Sequence, residues 1–122
     1  MRLIILLLPL ILLAKNNWFI TKLEYGKMLY NNPRGISCAK CHGENAQGKI
    51  IAKYYIIKNN KKILKIIKAP NIQNVPFEKF KKKLFHKYLS VMPKYNYLTN
   101  QEINAIYLYI QSLSNNKTRK KK

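Results

Sequence analysis

The stretch Cys38-Ala39-Lys40-Cys41-His42-Gly43 decides the fold of this chain of 122 residues. The whole sequence contains two Cys and two His, and three of these four residues lie within the stretch. Two thiols three positions apart, followed at once by an imidazole, give one short segment that can form three bonds to a single group. The chemistry of the chain is therefore expected at this motif.

The spacing is typical of covalent haem attachment, in which the two thiols add to the vinyl groups and the imidazole reaches the iron. A structural disulfide, a thioredoxin-type redox pair and half of a zinc site also use Cys-x-x-Cys. A redox pair needs a βαβ context, and tetrahedral zinc needs a fourth ligand, for which only His86 is available. We expect one haem c, bound through Cys38 and Cys41 with His42 as proximal iron ligand; zinc and a disulfide are the alternatives.

The presence or absence of a second protein ligand on the opposite face of the iron distinguishes an electron carrier from a catalyst, because catalysis needs an open position. The candidates are Met28, His86 and Met92. Met92 lies in an irregular segment, and the following Pro93 restricts it to extended geometry from which a flexible thioether can reach inward. We predict Met92 as the distal iron ligand, with a gap-filling core Met as the alternative. We interpret His86 as an ordinary surface or partly buried histidine and Met28 as a helix packing residue.

The amino-acid composition limits which other classes of function are possible. The chain is long enough for one domain, and 48% of its residues are hydrophobic, so it is expected to fold. All four acidic residues are Glu, which leaves almost no material for carboxylate metal sites or paired-Asp catalysis. The 24 Lys and Arg give a net charge of 24 − 4 = +20. This charge favours acidic proteins and anionic membrane surfaces, although a compositional bias of the whole chain explains it equally well.

The N-terminus reads as a secretory signal, since Arg2 precedes an apolar run over residues 3–14 and Lys15 follows it. The run is too short for an ordinary membrane span and contains a proline. We expect a signal peptide over residues 1–14, cleaved after Ala14, with an uncleaved anchor as the alternative. Export argues against nucleic acid as a biological partner.

Hydrophobic periodicity and turn signals predict a mainly α fold with one small β-hairpin. A helix over residues 16–31 contains Gly26, which suggests a close crossing with another helix. Residues 50–68 favour a surface hairpin around two Asn, although a helix also suits part of them. A helix opening at Pro76, and carried through Tyr88 by its apolar face, is expected to end before Pro93. The last helix starts at a capping box of Thr99 and Glu102.

The domain is expected to span residues 15–114, because the composition shifts only outside it. Residues 115–122 are polar and basic with no apolar content, so they are predicted to form a solvated, disordered tail.

The chain resembles small class I c-type cytochromes over residues 22–113, because it contains CAKCHG, a Met-Pro pair some fifty residues later, and a closing capped helix. The resemblance implies three to four helices around one covalent haem. It implies that Gly26 and Tyr30 of the first helix meet Ile106 and Tyr109 of the last. It also implies that the carbonyl of Pro70 accepts the ring N–H of the iron-bound histidine and so orients it.

The function implied by the resemblance is that of a periplasmic monohaem carrier of single electrons, not an enzyme. Its implied partners are acidic redox proteins of a respiratory chain, such as a terminal oxidase, a peroxidase or a quinol-oxidising complex. A haem enzyme or gas-binding sensor with an open or His-ligated distal position is the rival. A third possibility is an electron-transfer subunit held at the membrane by residues 3–14.

Overall fold

The computed structural model describes residues 20–121. The segments 1–14 and 16–19, on which the signal peptide and the start of the first helix were expected, lie outside the described residues. The elements in chain order are α1 Lys22–Asn31, α2 Cys38–His42, β1 Lys49–Lys58, β2 Lys61–Ala69, α3 Phe77–Leu84 and α4 Asn100–Arg119. Within residues 20–121 no helix is both long and apolar enough to cross a membrane.

The two terminal helices each begin at a complete capping box. Thr21 Oγ1 accepts from the Glu24 backbone N–H at 3.1 Å, and the Glu24 carboxylate accepts from the Thr21 N–H at 3.0 Å. Thr99 and Glu102 repeat the arrangement at the start of α4, as predicted. α1 therefore begins at Lys22, and the predicted helix does not run through Thr21, because a capping residue holds extended backbone and cannot lie inside a helix.

The core lies where α1 crosses α4. Gly26 sits directly against the backbone of Ala105, so the close crossing that its position predicted is present. Tyr30 and Ile106 are fully buried beside it. The rings of Tyr30 and Tyr109 lie 5.5 Å apart between centroids. The crossing thus holds the two ends of the domain together and supports the segment between α1 and β1.

Strands β1 and β2 form the predicted antiparallel hairpin. Lys58 pairs with Lys61, and the two residues between them, Asn59 and Asn60, have φ values of 53° and 60°. Two consecutive left-handed residues match the twist of a two-residue hairpin turn, and Asn tolerates this conformation better than most side chains. The register shifts between Ile50 and Ala52, near the start of β1, where Ile51 has no paired residue in β2.

The second predicted helix is shorter than expected, since α3 ends at Leu84 rather than continuing through Tyr88. The Leu84 carbonyl accepts from the backbone N–H of Tyr95 at 2.9 Å, so it has a hydrogen-bond partner although the helix does not continue. Because α3 ends at Leu84, residues 85–92 form an irregular loop.

The C-terminal end of the chain corrects a second expectation. Residues 115–119, predicted to be a disordered tail, continue α4 as helix to Arg119. No Gly or Pro interrupts the sequence from 100 to 119, and extending an existing helix adds one hydrogen bond for each residue fixed. Their side chains are exposed, because this last part has no apolar face to bury.

Candidate functional site

The helix α2 is a single turn that carries the cysteine motif. Because residues three apart share a face of a helix, Cys38 and Cys41 lie side by side and His42 follows at the end of the turn. Both cysteines are free and partly buried, so the structure does not pair them in a disulfide. Burial raises the pKa of the Cys38 thiol to about 12, opposite to the lowered pKa of a thioredoxin-type nucleophile.

The imidazole of His42 is oriented by a backbone carbonyl. Its Nδ1 lies 2.9 Å from the carbonyl oxygen of Pro70, which is the contact that the resemblance implies. With Nδ1–H donating there, Nε2 is left free as a metal-binding nitrogen. The two loops meet closely at Gly48, where φ is +82° and an added Cβ would stand 2.8 Å from the carbonyl carbon of Pro70. The contact therefore depends on the absence of a side chain at this position.

A cavity of about 1000 Å³ opens beside the two thiols and His42. This volume is at the upper end of the range for small-molecule and cofactor sites and suits a large flat group. Much of its wall is apolar or aromatic, formed by Ile67, Ile72, Val75, Phe80, Phe85, Val91, Met92, Pro93 and Tyr95. No acidic side chain of the described residues lines it.

Met92 lies in the wall of the same cavity as His42 and is partly buried. The structure thus brings all five predicted site residues to one place: Cys38, Cys41, His42, Pro70 and Met92. Met28, expected to pack inside a helix interface, is instead 59% exposed and does not line the cavity.

His86 is buried, and both of its ring nitrogens face backbone carbonyls. Nδ1 lies 3.0 Å from the carbonyl oxygen of Tyr88, and Nε2 lies 3.0 Å from that of Met92. A neutral imidazole carries one ring N–H, so the ring donates to one of these carbonyls and lies against the other. The ring therefore packs within the loop that follows α3, with neither nitrogen free to point into the cavity. The sequence presented His86 only as a candidate ligand or an ordinary histidine, and this contact was missed because the helix was expected to run through Tyr88.

A zinc site has no ligand set here. Across residues 20–121, no cluster of three or more His, Cys, Asp or Glu side chains could hold a metal ion by itself. The motif residues fit a covalently attached haem better. The two thiols can anchor its edge, His42 offers an oriented nitrogen, and the apolar wall excludes water.

Two tyrosines that sequence reasoning did not assign to the site hold the motif segment. Tyr30 Oη donates to the Gly43 carbonyl at 2.6 Å, and Tyr95 Oη donates to the Ile36 carbonyl at 2.6 Å. Burial raises the pKa of both phenols, so both stay protonated donors at neutral pH. Tyr30 was expected only at the helix crossing, and nothing in the spacing of Tyr95 marks its role.

An ion pair connects the motif side of the molecule to the start of α4. The Arg34 guanidinium meets the Glu102 carboxylate with two bonds, of 2.7 and 3.0 Å. The bonds from Arg34, and then that from the Thr99 N–H, lower the pKa of the Glu102 carboxyl to about 2. Glu102 therefore both caps α4 and anchors the segment that leads into the motif.

A family model described as Cytochrome c matches residues 23–114 of the chain. A search of the curated proteins and a search of the solved structures found no match. The matched range contains the motif, the cavity wall and both residues expected to face the iron.

Proposed function

Because the chain belongs to the cytochrome c family, whose members bind covalent haem c, we propose that it is a monohaem carrier of single electrons with His42 and Met92 as its two iron ligands. The observation that carries the proposal is the placement of His42 and Met92 in the wall of one apolar cavity beside both cysteines. Two protein ligands leave no open position for substrate or gas, which favours a carrier over an enzyme or sensor.

The haem iron, when bound, supplies the one-electron couple. Cys38 and Cys41 hold the group permanently, as suits a small protein that must not lose it. The Pro70 carbonyl keeps the His42 ring in one orientation and increases its basicity as a ligand. A thioether from Met92 and an apolar, water-excluding wall both favour a higher reduction potential.

Lysines surround the proposed haem site and support acidic redox proteins as partners. Lys40, Lys49, Lys87 and Lys94 flank the motif segments in sequence and are all exposed. The wall of the cavity itself contains Lys68, Lys79, Lys82 and Lys83. A positive rim around a redox site steers acidic faces towards it, and the rate of reduction by such a partner should fall as salt rises.

The decisive experiment compares visible spectra of haem-loaded Met92→Ala and Met28→Ala. We expect covalent haem on a denaturing gel for both, since neither touches the cysteines. Only Met92→Ala should lose the low-spin spectrum with the sulfur-to-iron band, because Met28 is exposed away from the cavity. An unchanged spectrum in Met92→Ala would assign the distal position to another residue or leave it open, as the haem enzyme or sensor reading requires.

We propose a periplasmic location on the charged and apolar pattern of residues 1–15. Fractionation of intact cells tests it. Release with the soluble periplasmic proteins supports a free carrier, and recovery with membranes after a high-salt wash supports the uncleaved anchor.

A further inference from the structure

The β-hairpin presents one face away from the cavity. Residues paired across an antiparallel ladder share a face, and successive pairs alternate. Ala52 pairs with Ile67, and Ile67 lines the cavity, so this pair marks the inner face. The opposite, outer face carries the pairs Lys53–Ile66, Tyr55–Leu64 and Ile57–Lys62.

The centre of this outer face is apolar and exposed. Tyr55 is 60% exposed, Ile57 81%, Leu64 44% and Ile66 50%. A contiguous set of large apolar side chains in water usually marks an interaction surface. A two-stranded sheet is also only marginally stable by itself, so covering one face would stabilise it.

The charges of the hairpin are all of one sign. Residues 49–69 contain seven lysines, at positions 49, 53, 58, 61, 62, 65 and 68, and no acidic residue. Lys62 Nζ lies 4.4 Å from the centroid of the Tyr55 ring, so a positive charge stands directly beside the apolar centre. The outer-face pairs contain Lys53 and Lys62. A second copy docked on this face would set these lysines against its own, with no acidic residue of the hairpin to offset them, which makes a dimer through this face unfavourable.

The mixture of side chains favours lipid over protein as the occupant. Protein interfaces are depleted in Lys at their centres and enriched in Arg and Met. Elements that lie on membranes combine aliphatic and aromatic side chains with lysines, whose long stems let the ammonium reach the headgroup phosphates. We propose that the outer face of the hairpin lies on an anionic lipid membrane, with Tyr55, Ile57, Leu64 and Ile66 at the boundary between headgroups and acyl chains.

This placement turns the inner face, and with it the cavity wall at Ile67, away from the lipid. A protein bound in this way keeps its cavity accessible to partners from the opposite side. The inference rests on the hairpin alone and holds whether or not the chain carries electrons.

The test measures binding of the haem-loaded protein to sedimented vesicles of phosphatidylcholine with and without phosphatidylglycerol. Ile57→Ser/Ile66→Ser removes apolar contact from the outer face at exposed positions. The control, Leu23→Ser/Leu108→Ser, removes two exposed apolar side chains from α1 and α4, which are 41% and 44% exposed against 81% and 50% for the tested pair. All samples share one N-terminus, so differences between variants report the hairpin, and their visible spectra check that each is folded and loaded.

We expect the native chain to bind vesicles containing phosphatidylglycerol. The affinity of the outer-face variant for them should fall by at least about tenfold, whereas the affinity of the control should stay within about twofold of the native value. Equal binding by both variants would overturn the proposal, because it would assign membrane affinity to the N-terminal segment or to net charge alone. Absence of vesicle binding by the native chain, with slower reduction by an acidic redox protein in the outer-face variant only, would overturn it in favour of a protein partner.

Discussion

Gly26→Ala should destabilise the protein strongly although alanine is the better helix former. A Cβ on Gly26 would overlap the Ala105 carbonyl oxygen, stand 2.6 Å from its carbon and stand 3.1 Å from the Cβ of Tyr109. The first two atoms belong to the α4 backbone, so no side-chain rotation relieves the contact. Carbon atoms in ordinary contact lie about 3.5–4.0 Å apart, so α1 and α4 must separate by roughly 1 Å.

The cost follows from what this separation does to the buried side chains beside the crossing. A gap of about 0.5–1 Å forfeits roughly a quarter to a half of the dispersion energy between facing atoms. Leu29, Tyr30, Ile103 and Ile106 are all at most 5% exposed there. At about 2 kcal/mol for burial of each side chain, the loss is about 2–4 kcal/mol. Alanine restores about 1 kcal/mol of helix propensity, which leaves a net loss of about 2 kcal/mol.

The assay is urea denaturation of the haem-loaded protein, followed by helix circular dichroism. The urea concentration at the midpoint of unfolding should fall, and the dependence of the unfolding free energy on urea should not change. In a thermal melt, the melting temperature should fall by about 4–8 °C for each kcal/mol lost in a domain of this size. Lys27→Ala, at the neighbouring exposed position, controls for the substitution itself and should change stability by less than about 0.5 kcal/mol. A Gly26→Ala protein as stable as the native chain would refute the close crossing.

Three further outcomes test the contacts around the site. Glu102→Gln should lower the free energy of unfolding by only about 1 kcal/mol at pH 7, because water around the half-exposed Arg34 side chain screens the ion pair. Because the folded carboxyl has its pKa lowered from 4.5 to about 2, the native chain should lose this stability as pH falls through that window, and acid titration of unfolding should show the variant flatter there. Tyr30→Phe should cost about 1 kcal/mol in urea by removing the shorter of the two hydrogen bonds that the Gly43 carbonyl accepts, with the haem still attached. His86→Ala should weaken the sulfur-to-iron band without loss of covalent haem, since it frees the Met92 carbonyl and loosens the loop; a full-strength band would show that the loop holds itself.

Local sequence signals predicted the parts of the fold that depend on neighbouring residues. The capping box of Thr99 and Glu102 involves atoms three residues apart, so its sequence pattern is sufficient. The sequence also contains this box at Thr21 and Glu24, which marks the start of α1 at Lys22 and which the prediction of a helix through Thr21 overlooks. The hairpin was predictable because Asn59 and Asn60 suit a turn whose geometry is local.

The errors occur where distant residues decide. The end of α3 depends on a hydrogen bond from Tyr95 to Leu84, eleven residues apart, and helical periodicity gives no warning of it. The contact of His86 with the Met92 carbonyl depends on the loop that this early ending creates. The Pro70 contact with His42 spans 28 residues and was expected only through the family resemblance.

The segment between α1 and β1 has little regular structure, yet a carrier of single electrons needs its site to change little between oxidation states. Long-range hydrogen bonds from tyrosine hydroxyls hold this segment in place. Tyr30, Tyr95 and Tyr97 donate to three carbonyls between residues 33 and 43, each at 2.9 Å or less. The phenols of Tyr95 and Tyr97 give partly buried carbonyls of irregular backbone a donor, and Tyr30 adds a second donor to the Gly43 carbonyl, which also accepts from the Ala46 N–H at 3.2 Å. These bonds fix the motif segment against the core. Tyr30 belongs to the α1–α4 crossing, and Tyr95 also fixes the end of α3 through its backbone. The rigidity of the motif is therefore supplied by the core, and a substitution that parts the two helices should loosen the site as well as lower the stability.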